Sequence, residues 1–394
     1  MKRRELIKTG VFLAGISAIG IGAKMNSKNN SKIDNTDIVP KQTAVYKIAR
    51  FMPYDTKAID EIAENNSKVK KYKITTLYNS YPAPLCHTFD YNFLTNRGTN
   101  EDIKSFDDFA KYAIYTMKKG FDFVFTLNSP RPFSFSTMDS KRKDLYDLLD
   151  NLQSIGCKNL KIANQQLMEE ISRDKHFKFN FHISTSSEYH NVSQYTTLIK
   201  TYPNIKSINI SIDDNRNFHL LRSLRKLFPD VDLEILLNEN CLHGCPSRII
   251  HPSTMFDFFD CFAFEKKIGA FEFFFKSNMV YPWQLEYYSA IGVNSFKLME
   301  YTRGKDNHSG SIDSYLSCIE NGINGMSAKD FFYSVMRMRK RINVNEKIML
   351  SEIMPYLPDI RHFVQNGYKC GSICGSECNY CMDCCKKIKK MMFS

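Results

Sequence analysis

The feature that most restricts this chain is an alternation. From residue 72 onward, short runs rich in β-branched and aromatic residues trade places with longer runs of helical period, and the cycle repeats eight times. Such alternation is the signature of parallel β/α units, and eight of them close a barrel. The strand candidates are residues 72–78, 121–127, 160–163, 177–183, 207–212, 233–237, 270–275 and 296–298. Three intervening stretches carry apolar residues at spacings of three and four, which give a helix one buried face. These are residues 105–119 with Phe106, Phe109, Ala110 and Ile114, residues 143–154 with Leu145, Leu148, Leu149 and Leu152, and residues 217–228 with Leu220, Leu221, Leu224 and Leu227. Residues 327–341 read as one more long helix. Gly156 and Gly292 stand where a helix ends and the chain turns back into a strand. The expected fold is therefore α/β: a (β/α)8 TIM barrel with a short C-terminal cysteine-rich extension. An open doubly wound sheet is the architectural alternative, but no glycine-rich dinucleotide loop follows the first strand.

A chain of 394 residues, 43% of them hydrophobic, can bury a core of that size. We place the barrel at residues 45–345 and the extension at 346–394. Before the barrel, Lys2, Arg3, Arg4 and Lys8 precede an apolar run over residues 11–23. Residues 1–25 thus resemble a twin-arginine signal peptide, which exports proteins already folded, and residues 26–44 read as a polar linker. The apolar run falls short of the roughly 20 residues a membrane span needs. An interfacial anchor giving membrane association, and a cytoplasmic location, are the alternatives to export. The formal net charge of +12 is spread along the chain, with no basic motif interleaved with aromatics, so RNA is the less favoured partner.

In such barrels the site is built from loops following the strands. The polar residues there are Asn79, Ser80, Asn128, Asn164, Ser184, Thr185, Asp213, Asp214, Asn238, Glu239, Lys276 and Glu300; taken singly, each also suits the capping of a following helix. The loop taken as the sixth stands apart. Asn238-Glu239-Asn240-Cys241-Leu242-His243-Gly244-Cys245-Pro246-Ser247-Arg248 leaves a strand and at once offers two thiols with three residues between them. Thiolates are the soft ligands of iron–sulfur clusters, and a cluster takes four. Cys261 is the third candidate, and Cys86, Cys318 or the tail could supply the fourth. Zinc is the competing metal, because His243 and His251 accompany the thiols. Six of the twelve cysteines crowd the end of the chain. Of these, Cys370, Cys374, Cys378 and Cys381 can wrap one metal alone or fold over the barrel mouth, while Cys384 and Cys385 have no assigned role. No Gly-x-Ser-x-Gly elbow, His-Glu-x-x-His helix or phosphate loop is present.

Several ordered pieces together resemble the collagenase-like peptidase family, peptidase U thirty-two, in its short single-barrel form. They are Leu77-Tyr78-Asn79-Ser80, Thr126-Leu127-Asn128 and Asn215-Arg216-Asn217-Phe218, then Asn238-Glu239-Asn240-Cys241 with Cys245-Pro246 and Arg248-x-x-His251. Trp283-Gln284-Leu285-Glu286-Tyr287-Tyr288, Gly292-Val293, Phe296-Lys297-Leu298 and the run from Cys374 to Cys381 follow. The resemblance implies a 4Fe-4S cluster at the barrel mouth, serving oxygen-independent hydroxylation or a related redox modification, with a redox partner protein. Cys241 and Cys245 would be its ligands, followed by Cys261, and Asn238, Glu239, Arg248 and His251 would shape the catalytic site. The family name implies the alternative of a peptidase, and a non-catalytic, metal-stabilised binding barrel is the third reading. The chain departs from the pattern after its last strand, where Glu300-Tyr301 stands in place of a Gly-Arg pair. An export leader turns the expected substrate toward a quinone-like, peptide or cell-envelope molecule.

Overall fold

The computed structural model describes residues 45–80, 103–127, 135–248, 259–299, 309–335, 345, 347–365, 370 and 374–393. The leader and linker lie outside this range, as do Cys86, Asn128, His251 and Glu300. No helix among the described residues is long and apolar enough to cross a membrane.

Eight parallel strands close a barrel in simple sequence order. They are β1 (Tyr46–Phe51), β2 (Tyr72–Asn79), β3 (Asp122–Leu127), β4 (Asn159–Ile162), β5 (Asn180–Ile183), β6 (Ile205–Asn209), β7 (Asp232–Leu236) and β8 (Ser295–Lys297). Closure comes from β8 pairing with β1, with Ile48 opposite Phe296 and Ala49 opposite Lys297.

Seven of the expected strands are present, but two assignments change. Residues 270–275 form a helix, because Phe271, Phe274 and Phe275 recur at three and four and bury one face. The place in the barrel is taken by Tyr46–Phe51, upstream of the first expected strand. The cysteine-bearing loop therefore follows the seventh strand rather than the sixth. The long helix expected over residues 327–341 is, within the described range, one short turn at Ala328–Asp330 continued by a wider turn at Phe331–Val335.

Local sequence explains the joints. Asp55 caps Thr56–Lys68, Ser105 and Asp108 form a reciprocal box at Phe106–Lys118, Asn191 and Gln194 do the same at Val192–Thr201, and Asn217 caps Phe218–Leu227. Gly156 and Gly292 take left-handed φ values of 85° and 91° at the expected turns. Strand residues alternate strictly. Leu160, Ile162, Phe181, Ile183, Leu233, Ile235 and Phe296 join the large core shared with the helices. A second, small apolar cluster of Ala49, Tyr78 and Val124 with Phe51 is separate from it. The alternate positions Thr126, Lys161, His182, Asn209, Glu234 and Lys297 face the barrel axis and make its interior unusually polar.

Candidate functional site

The interior of the barrel holds a charge network. The Lys161 ammonium, 2% exposed, pairs with the Glu234 carboxylate, 3% exposed. Glu234 also accepts from Asn209 Nδ2 at 2.8 Å and Ser295 Oγ at 3.1 Å. Burial opposes ionisation of Glu234, but Lys161 and Lys297 overcome it and hold its carboxyl below the usual range. Lys297 lies 4.0 Å from the centre of the Tyr78 ring. Burial, assisted by Lys161, pushes His182 down to about 4. Asn209 Oδ1 is buried and meets no donor among the described residues.

Above this floor, the loops after β5, β6 and β7 build a second constellation. Glu188 is the one non-glycine residue with positive φ among those described, at 51°. Its carboxylate accepts from Arg248 Nε at 2.8 Å and from Ser211 Oγ at 2.8 Å. Arg248 in turn donates from Nη1 to Cys241 Sγ at 3.7 Å. Burial disfavours the charge on Arg248, but Cys241, Glu188, Glu239 and Asp213 outweigh it and hold the guanidinium firmly protonated. His190 Nδ1 hydrogen-bonds Asp214 at 2.8 Å, which raises the imidazole above its ordinary value, and its Nε2 lies 3.6 Å from Glu188.

The cysteine loop is anchored on its far side. Leu242 bridges to Ser277, Asn278 N–H donates to Cys241 O at 3.1 Å, and His243 N–H donates to Lys276 O at 2.9 Å. Asp213 accepts from Gly244 N–H at 3.1 Å and from Asn278 Nδ2 at 2.5 Å, while His243 Nδ1 meets Asn278 Oδ1 at 2.8 Å. Burial works against the Asp213 charge, yet His243 and these donors keep its carboxyl low.

The candidates from sequence thus sort by placement. Cys241, Glu239 and Arg248 gather at the mouth with Cys245 on the same loop, and neither thiol is in a disulfide. Asn238 is fully buried, its amide donating to Met299 O at 2.8 Å and accepting from Met299 N–H at 2.7 Å, so it ties the β7 loop to the β8 loop. Asn164 and Ser184 cap the turns that follow them. Cys261 lies on the helix Phe259–Ile268, with its side chain outside the described set. Cys157, Cys384 and Cys385 are packed into the core, and burial pushes their thiols up to about 12, 11 and 12. Among the described residues no three His, Cys, Asp or Glu side chains form a ready-made group for a metal ion.

Glu188 and His190 escaped the sequence reading. Neither lies in a motif, and the only local signal is Asn191, whose capping of the next helix fixes where that loop ends.

No protein-family model matches the chain, and no curated protein matches it either. Among solved structures it is similar to the U32 peptidase Mk0906, with TM-score 0.40 and 9% identity over 67% of this chain and 96% of that one. It is also similar to CdNal from Clostridium difficile, in complex with mannosamine, with TM-score 0.36 and 10% identity over 88% and 98%. A third is D-psicose 3-epimerase from Clostridium cellulolyticum H10, with TM-score 0.35 and 11% identity over 72% and 93%. The likeness is confined to the fold.

Proposed function

We propose that this chain is an iron–sulfur enzyme of the peptidase U thirty-two type, carrying out oxygen-independent hydroxylation or a related redox modification at the barrel mouth. The observation that carries the reading is the contact of Arg248 with Cys241 on a loop that also presents Cys245. Thiolate sulfurs are soft donors suited to iron, and a guanidinium hydrogen-bonded to a ligating sulfur lowers the cost of the charge that four thiolates bring. Cys241 and Cys245 would hold the cluster, with Cys261 as the third ligand. A bound cluster supplies one-electron transfer.

The surrounding residues have definable roles. Glu188 orients Arg248, since its carboxylate receives Nε while Nη1 reaches the sulfur. His190, raised above its ordinary value by Asp214, is a proton donor whose Nε2 lies 3.6 Å from Glu188. The polar interior suits a substrate head group that donates a hydrogen bond to Asn209 Oδ1. A quinone-like, peptide or cell-envelope substrate, export through the leader and electron supply by a partner protein belong to the same reading. The peptidase alternative draws on the same His190–Asp214 pair, with His190 as its acid–base group.

The test is anaerobic purification of the full chain, with iron, sulfide and zinc analysis and a visible spectrum. Cys241→Ser/Cys245→Ser should lose about four irons and four sulfides relative to the parent while circular dichroism is retained. Unchanged iron in that variant, or zinc in place of iron at this loop, refutes the reading.

A further inference from the structure

Arg216 stands between β6 and the helix Phe218–Leu227, at the carboxyl end of the barrel, and is 7% exposed. Nη2 donates to Ser277 O at 2.9 Å, Nη1 reaches Cys381 Sγ at 4.0 Å, and the guanidinium lies 4.7 Å from the Phe363 ring centre. A carbonyl and a ring face carry no net charge and a thiol sulfur is a weak acceptor, whereas a guanidinium stays protonated in proteins. A buried charge needs an opposite one. Two carboxylates stand close by in the chain, and neither serves. Asp213 accepts from Gly244 N–H at 3.1 Å and from Asn278 Nδ2, while Asp214 accepts from Asn217 Nδ2 at 3.0 Å and pairs with His190. Among the described residues no Asp or Glu forms an ion pair with Arg216. The ten-residue helix that follows has no acid in its first turn, so its positive end adds to the local potential.

The surroundings of this cation are rigid and aromatic. Phe218, two residues on, packs its ring 5.1 Å from that of Tyr288, and Tyr281 stacks on Trp283 at 5.2 Å. Both tyrosines are buried, and their hydroxyls lie within electrostatic reach of the guanidinium. Phe363 is held by Tyr380, with ring centres 6.0 Å apart, and Tyr380 in turn stacks on His362 at 3.7 Å. Arg216 is thus positioned against Phe363 and tied along one edge to Ser277, with two of its five N–H groups engaged.

We propose that Arg216 binds the carboxylate of a ligand entering at the carboxyl end of the barrel, with the hydroxyls of Tyr281 and Tyr288 as accessory donors. A bound carboxylate supplies the opposite charge that the described residues do not give Arg216. The planar guanidinium fork matches a carboxylate through two parallel hydrogen bonds, and a planar partner can meet its edge while Phe363 lies over its face. An aromatic acid suits the site best, because Phe218, Tyr281, Tyr288 and Phe363 surround the cation with rings. The place also borders the mouth. Ser277, which accepts from Arg216, bridges to Leu242, and Asn278 N–H donates to Cys241 O. The assignment concerns binding alone, and it stands whether or not a cluster occupies the cysteine loop.

Calorimetric titration of the full chain tests the proposal, with sodium benzoate as the probe and ionic strength held constant by sodium chloride. Benzamide is the uncharged match of benzoate, and inorganic phosphate is the competing oxyanion. Benzoate should bind the parent about tenfold or more tightly than benzamide does, the worth of a hydrogen bond to a charged group. Arg216→Met should bring benzoate down to the level of benzamide and leave benzamide unchanged. Arg216→Lys keeps the charge but gives up the planar fork, so it should weaken benzoate by less, and it provides a readout that does not depend on the Met variant folding. The proposal is overturned if the parent does not bind benzoate, if benzamide or phosphate binds as tightly, or if either variant keeps the parent's affinity for benzoate. Iron analysis of the same preparations reports on the cysteine loop separately, so the two readings fail independently.

Discussion

Glu234→Gln tests whether the polar barrel interior is a closed electrostatic unit. The carboxylate takes hydrogen bonds from Lys161, Asn209 and Ser295, and it lies beside the charge of Lys297 as well. The amide keeps the shape but removes the one carboxylate that the described residues give this network, leaving Lys161, 2% exposed, without its paired charge. A contact ion pair at an effective dielectric near 20 is worth about 5 kcal/mol before desolvation. Breaking a buried pair from one side costs about 3–5 kcal/mol. That is a fifth or more of an ordinary domain's stability of about 5–15 kcal/mol. Urea unfolding at pH 7, followed by circular dichroism, should show this loss for Glu234→Gln. The double variant Lys161→Met/Glu234→Leu should recover part of it, since apolar replacement of both partners is close to neutral while buried Lys297 still loses the neighbouring carboxylate. A cost below about 1 kcal/mol, or a double variant as unstable as the two single changes added together, would show that the interior is hydrated and the pair screened.

Two further outcomes follow from the same framework. His182 sits at about 4 through burial, whereas an unfolded imidazole titrates near 6.5, so between these values the unfolded chain binds more protons. Stability should therefore fall as pH drops from about 6.5 to about 4, by at most about 3 kcal/mol because the ring keeps partial exposure. His182→Asn should flatten that slope in pH-dependent urea melts, and an unchanged slope would remove His182 as its source. Gly292→Ala should cost more than Gly156→Ala. Both positions have left-handed φ, a strain of about 1–2 kcal/mol for alanine, but only at Gly292 would the new Cβ meet Arg225 Cγ, at 2.6 Å. Equal losses in thermal unfolding would show that Arg225 moves aside freely.

The barrel was legible because its outward strand positions are apolar in strict alternation and its turns are marked by caps and glycines. Two strands were misjudged for opposite reasons. Tyr46–Phe51 contains Lys47 and Arg50, which break the apolar pattern; Arg50 is buried beside Asp313 of the last described barrel helix rather than left in solvent. Ala270–Phe275 is so aromatic that strand propensity overrode helical spacing, yet Glu272 lies clear of the buried Phe271, Phe274 and Phe275, which only a helix arranges. The site divides in the same way. Cys241, Cys245 and Arg248 share one loop and could be read together. Glu188, His190, Asp214 and Arg216 come from other loops, and closure of the barrel alone brings them to the thiols.

Under the function proposed above, that closure favours a polar substrate. The charges form a column along the barrel axis, with Lys161, Lys297 and Glu234 within the strands and Glu188, Arg248 and His190 at their carboxyl ends. An apolar molecule entering the column would strip water from these groups without replacing its hydrogen bonds, at a cost of about 1–3 kcal/mol for each group left unpaired. A head group carrying both donors and acceptors would incur no such penalty, and Asn209 Oδ1 is one acceptor still to be satisfied. The small cluster of Ala49, Tyr78, Val124 and Phe51 is, among the described residues, an apolar group separate from the main core. Under the same proposal, a substrate flat on one side and polar at its edge would suit both groups, and an unsubstituted hydrocarbon neither.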